Sequence, residues 1–131
     1  ALRSIRLSEQ IECSAVYPTL AVIDVAATCR WYVERLGFAI RFLWGDPPTH
    51  GAVLLGAACV HFRRGNPQLT ENWLYFDISD LEAMYERALA GGVEISKPPE
   101  TYPWGMREFK AVDLNGYNIR FGQNVGAEQR I

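Results

Sequence analysis

The chain carries its own repeat, and that repeat limits the fold more than any other feature. A stretch from Tyr17, "YPTLAVIDVAATCRWYVERLGFAIRFL", and one from Trp73, "WLYFDISDLEAMYERALAGGVEISKP", share one order of parts. Each has an alternating run ending in Ile-Asp or Ile-Ser-Asp, then a helical run with a tyrosine, then glycine and a strand-like segment. Asp24 and Asp80 have the chemistry of helix N-caps, because a short carboxylate can accept from the first free amides. Behind them Val25, Cys29, Tyr32, Val33 and Leu36, and Leu81, Met84, Tyr85, Ala88 and Leu89, recur at the spacing of a helix laid on a sheet. Gly37 and Gly91-Gly92 are the expected stops.

Turn chemistry supplies the other strands. "GAVLLGAACVHFRRG" reads as a hairpin around Gly56-Ala57, and Asn115-Gly116 closes a second one near the C-terminus. "SKPPETYPWG" reads as a loop stiffened by Pro98, Pro99 and Pro103 that delivers Trp104. The resulting expectation is an α+β fold of two tandem βαβββ modules forming a cupped mixed sheet covered by helices. The divisions fall at 1–14 (an arm, or a strand added to a partner), 15–65 (first module), 66–72 (linker), 73–122 (second module) and 123–131 (tail).

Strand parity separates two faces. One holds Leu20, Val22, Val60, Phe62, Leu74, Phe76, Ile78, Ile119 and Phe121, and belongs under the helices. The other holds Tyr17, Thr19, Ala21, Cys59, His61, Arg63, Trp73, Tyr75, Asp77, Asn118 and Arg120. That mixture is too polar for a core and rather aromatic for a plain solvated face, which suits the lining of a ligand cavity.

Composition excludes several classes. Over 131 residues the net charge is −2, with 49% hydrophobic and 21% charged residues. No run of like charge suggests nucleic acid, and no apolar run reaches bilayer length. No signal-peptide pattern opens the sequence, and Cys13, Cys29 and Cys59 form neither a metal-type pairing nor an even disulfide framework. A cytoplasmic protein is expected.

Two stretches, "PTLAVIDVAATCRWYVERLGF" and "PWGMREFKAVDLNGYNIRFG", resemble the vicinal oxygen chelate superfamily, which includes glyoxalase I, extradiol dioxygenases, and fosfomycin- and bleomycin-resistance proteins. The resemblance covers residues 15 to 122 and implies the βαβββ pair, commonly as a dimer. Enzymes of that superfamily hold a divalent metal with His, Gln or Glu from four strand positions. Those positions fall here on Tyr17, His61, Trp73 and Arg120, and only His61 is a good ligand. The chain therefore resembles the metal-free, bleomycin-resistance-type branch, in which a homodimer sequesters a drug.

The expected ligand set is Tyr17, His61, Arg63, Trp73, Tyr75, Trp104, Arg107, Asn118 and Arg120, with no metal and no cofactor. Its arginines favour a planar neutral or anionic ligand over a cationic one. Trp104 is placed to act as a lid or a dimer contact. Arg107 and Glu108 tie a loop to a strand, and Arg120 is expected either to hold a ligand anion or to pair with Asp77 or Glu108, one of which a buried guanidinium requires. Two other readings stand beside this one. One is an enzyme of the superfamily with His61 as acid/base, its only catalytic candidate, and Arg120 stabilising developing negative charge. The other is a dimer whose cups are filled by its own side chains.

Overall fold

The first turn of each helix is set by the carboxylates expected there. Asp24 accepts from the Ala27 amide at 2.9 Å and Asp80 from the Ala83 amide at 3.1 Å. Gly37 ends the first helix in the left-handed region at φ 76°, a conformation that an L side chain resists. A computed structural model describes residues 10–126. The order is β1 (Thr19–Val22), α1 (Val25–Leu36), β2 (Ala39–Gly45), β3 (Pro48–Leu55), β4 (Ala58–Arg64), β5 (Trp73–Asp77), α2 (Leu81–Ala90), β6 (Glu94–Thr101), β7 (Met106–Val112) and β8 (Asn118–Asn124). Both copies of the repeat are strand–helix–strand–strand–strand units.

The strands form two four-stranded sheets, β1-β4-β3-β2 and β5-β8-β7-β6. The first strand of each module runs parallel to the last, with Thr19 opposite His61 and Tyr75 opposite Arg120. The remaining pairs are antiparallel. The apolar parity lies against the helices as expected. Val22, Phe62, Ile119 and Phe121 are essentially inaccessible, while Leu20, Leu74 and Ile78 pack against the same cluster. Burying a phenylalanine this way is worth about 1.5–3 kcal/mol, so this parity is what commits each sheet to its helix.

The modules share that core and are bonded reciprocally. Arg35 of α1 donates to the Gly91 carbonyl at 2.5 Å, and Arg87 of α2 donates to the Leu36 carbonyl at 3.2 Å. Phe38 meets Phe76 edge-on across the boundary at 5.5 Å. The β7–β8 loop reaches over to α1, where Asn115 accepts from the Ile23 amide and donates to Thr28. Beneath it Tyr32 donates to the buried carboxylate of Asp113 at 2.6 Å. Tyr117 donates to the Ala21 carbonyl at 2.7 Å and accepts from the Gln68 amide at 3.0 Å, which fastens the linker.

Two expectations are corrected. The proline-rich stretch is not a loop as far as Thr101: Lys97, Pro98 and Pro99 lie inside β6. An edge strand tolerates them because one side needs no ladder donors, and the β6–β7 register shifts on either side of Lys97. At the C-terminus β8 continues through Gln123 and Asn124, beyond the expected limit at 122. Much of the proposed arm, residues 1–9, lies outside the described residues, as do residues 127–131 of the tail; from Gln10 to Pro18 the chain has no regular structure, with Ile11 and Val16 exposed. Among the described residues no helix is long and apolar enough to cross a membrane.

Candidate functional site

The polar face of the first module is built in rows across its strands. Phe42, Ala52, His61 and Thr19 share one row, and Trp44, His50, Arg63 and Ala21 the next. His61 stacks on Tyr17 with ring centroids 4.9 Å apart and planes 18° from parallel. Phe42 meets the same imidazole edge-on at 5.6 Å. Arg41 lies over the Tyr17 ring at 5.4 Å and donates to the Cys59 sulfur at 3.5 Å. The Nε2 atom of His61 is buried and has no hydrogen-bond partner. Cys59 is buried although its strand position faces the cup, and its sulfur accepts from that guanidinium.

Arg41 and Phe42 are site residues that sequence reasoning missed. The β2–β3 register shifts between Ile40 and Phe42, so Arg41 is an extra residue at a bulge. A bulge breaks alternation, and alternation was the signal that sorted residues by face.

The second module repeats the arrangement with different chemistry. The Arg120 guanidinium carbon stands 3.5 Å from the centroid of the Trp73 ring, a cation–π contact. Arg120 is only partly buried, so it needs no internal carboxylate; it rests on the indole face, and of the two expected partners Glu108 is taken by Tyr75. Glu108 is engaged by Tyr75, whose hydroxyl donates to it at 2.8 Å. Burial first, and then the Glu108 carboxylate, hold the Tyr75 phenol above its ordinary range. Tyr75 crosses the sheet directly above Gly122, where an added Cβ would lie 1.8 Å from the phenol oxygen. Gly122→Ala is therefore expected to swing Tyr75 aside and break its bond to Glu108, at a cost of about 1 kcal/mol. The check is an NMR titration of ring-labelled tyrosine, in which one high-titrating phenol should return towards the ordinary tyrosine range.

The remaining candidates divide. Arg63 is on the polar face of β4, exposed, and makes no hydrogen bond or ion pair with any described residue. Asn118 donates to the carbonyls of Thr70 and Asn72 and so ties down the linker. Arg107 is not in the cup: it bonds Glu82 of α2 at 2.6 Å and Thr101 at the end of β6 at 3.0 Å, so it ties β7 to a helix and a neighbouring strand. Trp104 is 61% exposed and stacks on Tyr102 at 4.6 Å, so in this conformation it covers no cup residue.

Two clefts touch the candidates. One of about 200 Å³ runs between the modules past Tyr17, Pro18, Cys59, Leu74 and Tyr75. Another of about 230 Å³ is lined by Leu20, Gln68, Trp73, Tyr117 and Asn118. A larger cavity of about 500 Å³ lies between the Gly56-Ala57 turn and the start of α2. It contains none of the nine candidates, so its size alone does not make it the site. Tyr17, Trp73 and Tyr75 remain 40–48% exposed in the single chain.

Two βαβββ modules with cupped polar faces and a shared helical core constitute the glyoxalase/bleomycin-resistance fold. The model of the Glyoxalase/Bleomycin resistance protein/Dioxygenase superfamily matches residues 14–121, and the chain belongs to that superfamily. Among solved structures it is similar to TioX from Micromonospora sp. ML1, with 24% identity and a TM-score of 0.76 over 86% of this chain and 99% of that one. A glyoxalase-related enzyme from Clostridium phytofermentans aligns with 20% identity and a TM-score of 0.76, over 88% and 98% of the two chains. A protein of unknown function from Agrobacterium tumefaciens str. C58 gives 24% identity and a TM-score of 0.70, over 87% and 96%. No curated protein matches the sequence.

The superfamily's metal can be tested against the residues present. The four positions that hold it in the enzymes are filled here by two stacked pairs, Tyr17 on His61 and Arg120 on Trp73. An indole has no free donor pair, a guanidinium repels a cation, and tyrosine is an uncommon ligand. This donor set does not fit a divalent ion.

Proposed function

We propose that the protein is a metal-free small-molecule binder of this superfamily, taking a planar ligand that is neutral or anionic and sequestering it, as an antibiotic would be sequestered. The observation that carries the reading is the replacement of the metal-ligand positions by the Tyr17–His61 and Trp73–Arg120 stacks. Flat π surfaces bind flat molecules, and the guanidinium adds directional hydrogen bonds. The buried, unpartnered Nε2 of His61 supports it further, since such an atom awaits a partner.

A homodimer belongs to the same reading. Ligand sites bury most of their ligand, whereas the cup aromatics here stay half exposed and the clefts beside them are small. A second copy would supply the missing wall. Exposed Ile40, Phe42, Leu43 and Trp44 on β2 give it an apolar surface, while the other outer edge, β6, is guarded by Pro98 and Pro99.

Native mass spectrometry of freshly purified protein, without added metal or chelator, tests this. The expected spectrum is a dimer carrying a substoichiometric organic adduct that is released chemically unchanged. A stoichiometric divalent ion would overturn the reading. So would turnover of the ligand that disappears in His61→Ala, which would bring forward an enzyme using His61 and Arg120.

A further inference from the structure

We infer that the ligand is an aryl carboxylate, or an equally planar monoanion, and that the first module recognises its charge, through Arg63 with Arg41 in support. The inference rests on the binding reading above and moves the anion site away from Arg120. On the polar face of the first module, the strand positions hold Arg41, His50, His61 and Arg63 and no carboxylate. Arg41 is already occupied by the Tyr17 ring and the Cys59 sulfur. Arg63 is not: among the described residues its guanidinium has no ion pair and no hydrogen bond, and it lies beside Gly65 with its Nη1 about where a Cβ there would touch. Two cations thus flank an aromatic platform, and no carboxylate among the described residues pairs with either of them.

The second module lacks this imbalance. Lys97 pairs with Glu100 and Arg107 with Glu82, both at 2.6 Å. Asp77 and Glu108 stand on the same face as Lys110 and Arg120, and Arg120 already rests on Trp73. A carboxylate brought there meets carboxylates as well as cations, so it gains little selectivity.

Spacing supplies the size of the ligand. Arg63 and His61 are two residues apart on one face of β4, roughly 6.6 Å along the strand. A ring stacked at the Tyr17–His61 pair would then place a carboxylate at Arg63 if the molecule were one or two fused rings long.

Isothermal titration of the intact protein with three matched probes tests the assignment: 2-naphthoate, 2-naphthylmethanol and 2-naphthylmethylammonium. Naphthoate is expected to bind about ten-fold tighter than the alcohol, with the ammonium weakest. Arg63→Gln is expected to erase that preference by weakening naphthoate while leaving the alcohol unchanged, and Lys110→Gln to leave the ratio as it was. The preference should also shrink between 50 and 500 mM salt. Equal affinity for naphthoate and alcohol overturns the inference, and so does a preference that survives Arg63→Gln. Failure of all three probes to bind overturns the aromatic platform itself, and is distinguishable because it removes affinity rather than selectivity.

Discussion

Asp113→Ala is expected to destabilise the protein by about 3 kcal/mol or more. The carboxylate is buried, and three donors converge on it: the Tyr32 hydroxyl at 2.6 Å and the amides of Asn115 and Tyr117, both at 2.9 Å. Alanine leaves all three without that acceptor, the Tyr32 hydroxyl in a buried place and the two amides in a partly buried one, and a buried donor left unmade costs about 1–3 kcal/mol. The loss is not confined to one loop. Asp113 holds the β7–β8 loop against α1, where Asn115 caps the chain at Ile23 and bonds Thr28, so the two modules loosen together. Asp113→Asn, which keeps an acceptor for the two amides, should cost markedly less. Urea denaturation of the three proteins, read as midpoint and slope, checks the order.

The same residue predicts a pH dependence. Burial raises the Asp113 carboxyl above the usual range, although the bonds from Tyr32 and from the loop amides pull it down. The native state therefore holds the proton more tightly than the unfolded chain. Its contribution is fully present below the unfolded carboxylate pKa, about 3.9, and is lost as pH rises through the higher folded value. The wild type should lose stability across that window by more than Asp113→Asn does. Equal slopes in parallel urea titrations would show that Asp113 is not the group responsible.

Gly91→Ala is the second large effect, and its cause is steric. Gly91 has φ −78°, which any residue adopts, so the backbone has no objection to a side chain. Space is what is missing: a Cβ there would lie 2.7 Å from the Arg35 carbonyl oxygen and 2.9 Å from the Arg35 Cα. Those are backbone atoms at the end of α1 and cannot turn aside as a flexible side chain would. One methyl must push the helix ends apart, straining the Arg35–Gly91 and Arg87–Leu36 bonds that join the modules. The expected cost is about 1–3 kcal/mol. Gly56 is the converse, with open space around it but φ 58°, so Gly56→Ala should cost only about 1 kcal/mol, through backbone strain. If thermal unfolding ranked Gly56→Ala as the worse of the two, the close helix contact would be wrong.

Much of this molecule was legible in its sequence because the informative signals are local. Asp24 and Asp80 cap helices since a carboxylate reaches the third amide along whatever the rest of the chain does. The alternation of Val60 and Phe62 with His61 separates core from cup because successive strand residues point oppositely. The family and its paired modules follow from such patterns in sequence order. Tertiary structure decided what depends on distances between segments far apart in the chain. It placed Arg120 on Trp73 rather than on a carboxylate, gave Glu108 to Tyr75, and turned Arg107 to Glu82 outside the cup. It also brought Arg41 to Tyr17 and Cys59, and Phe42 to His61, around a bulge in β2, and joined Tyr32 to Asp113, 81 residues away. Each is a competition among several possible partners. Its outcome is set by which side chains the packed core leaves within reach of one another, and neither propensity nor periodicity carries that information.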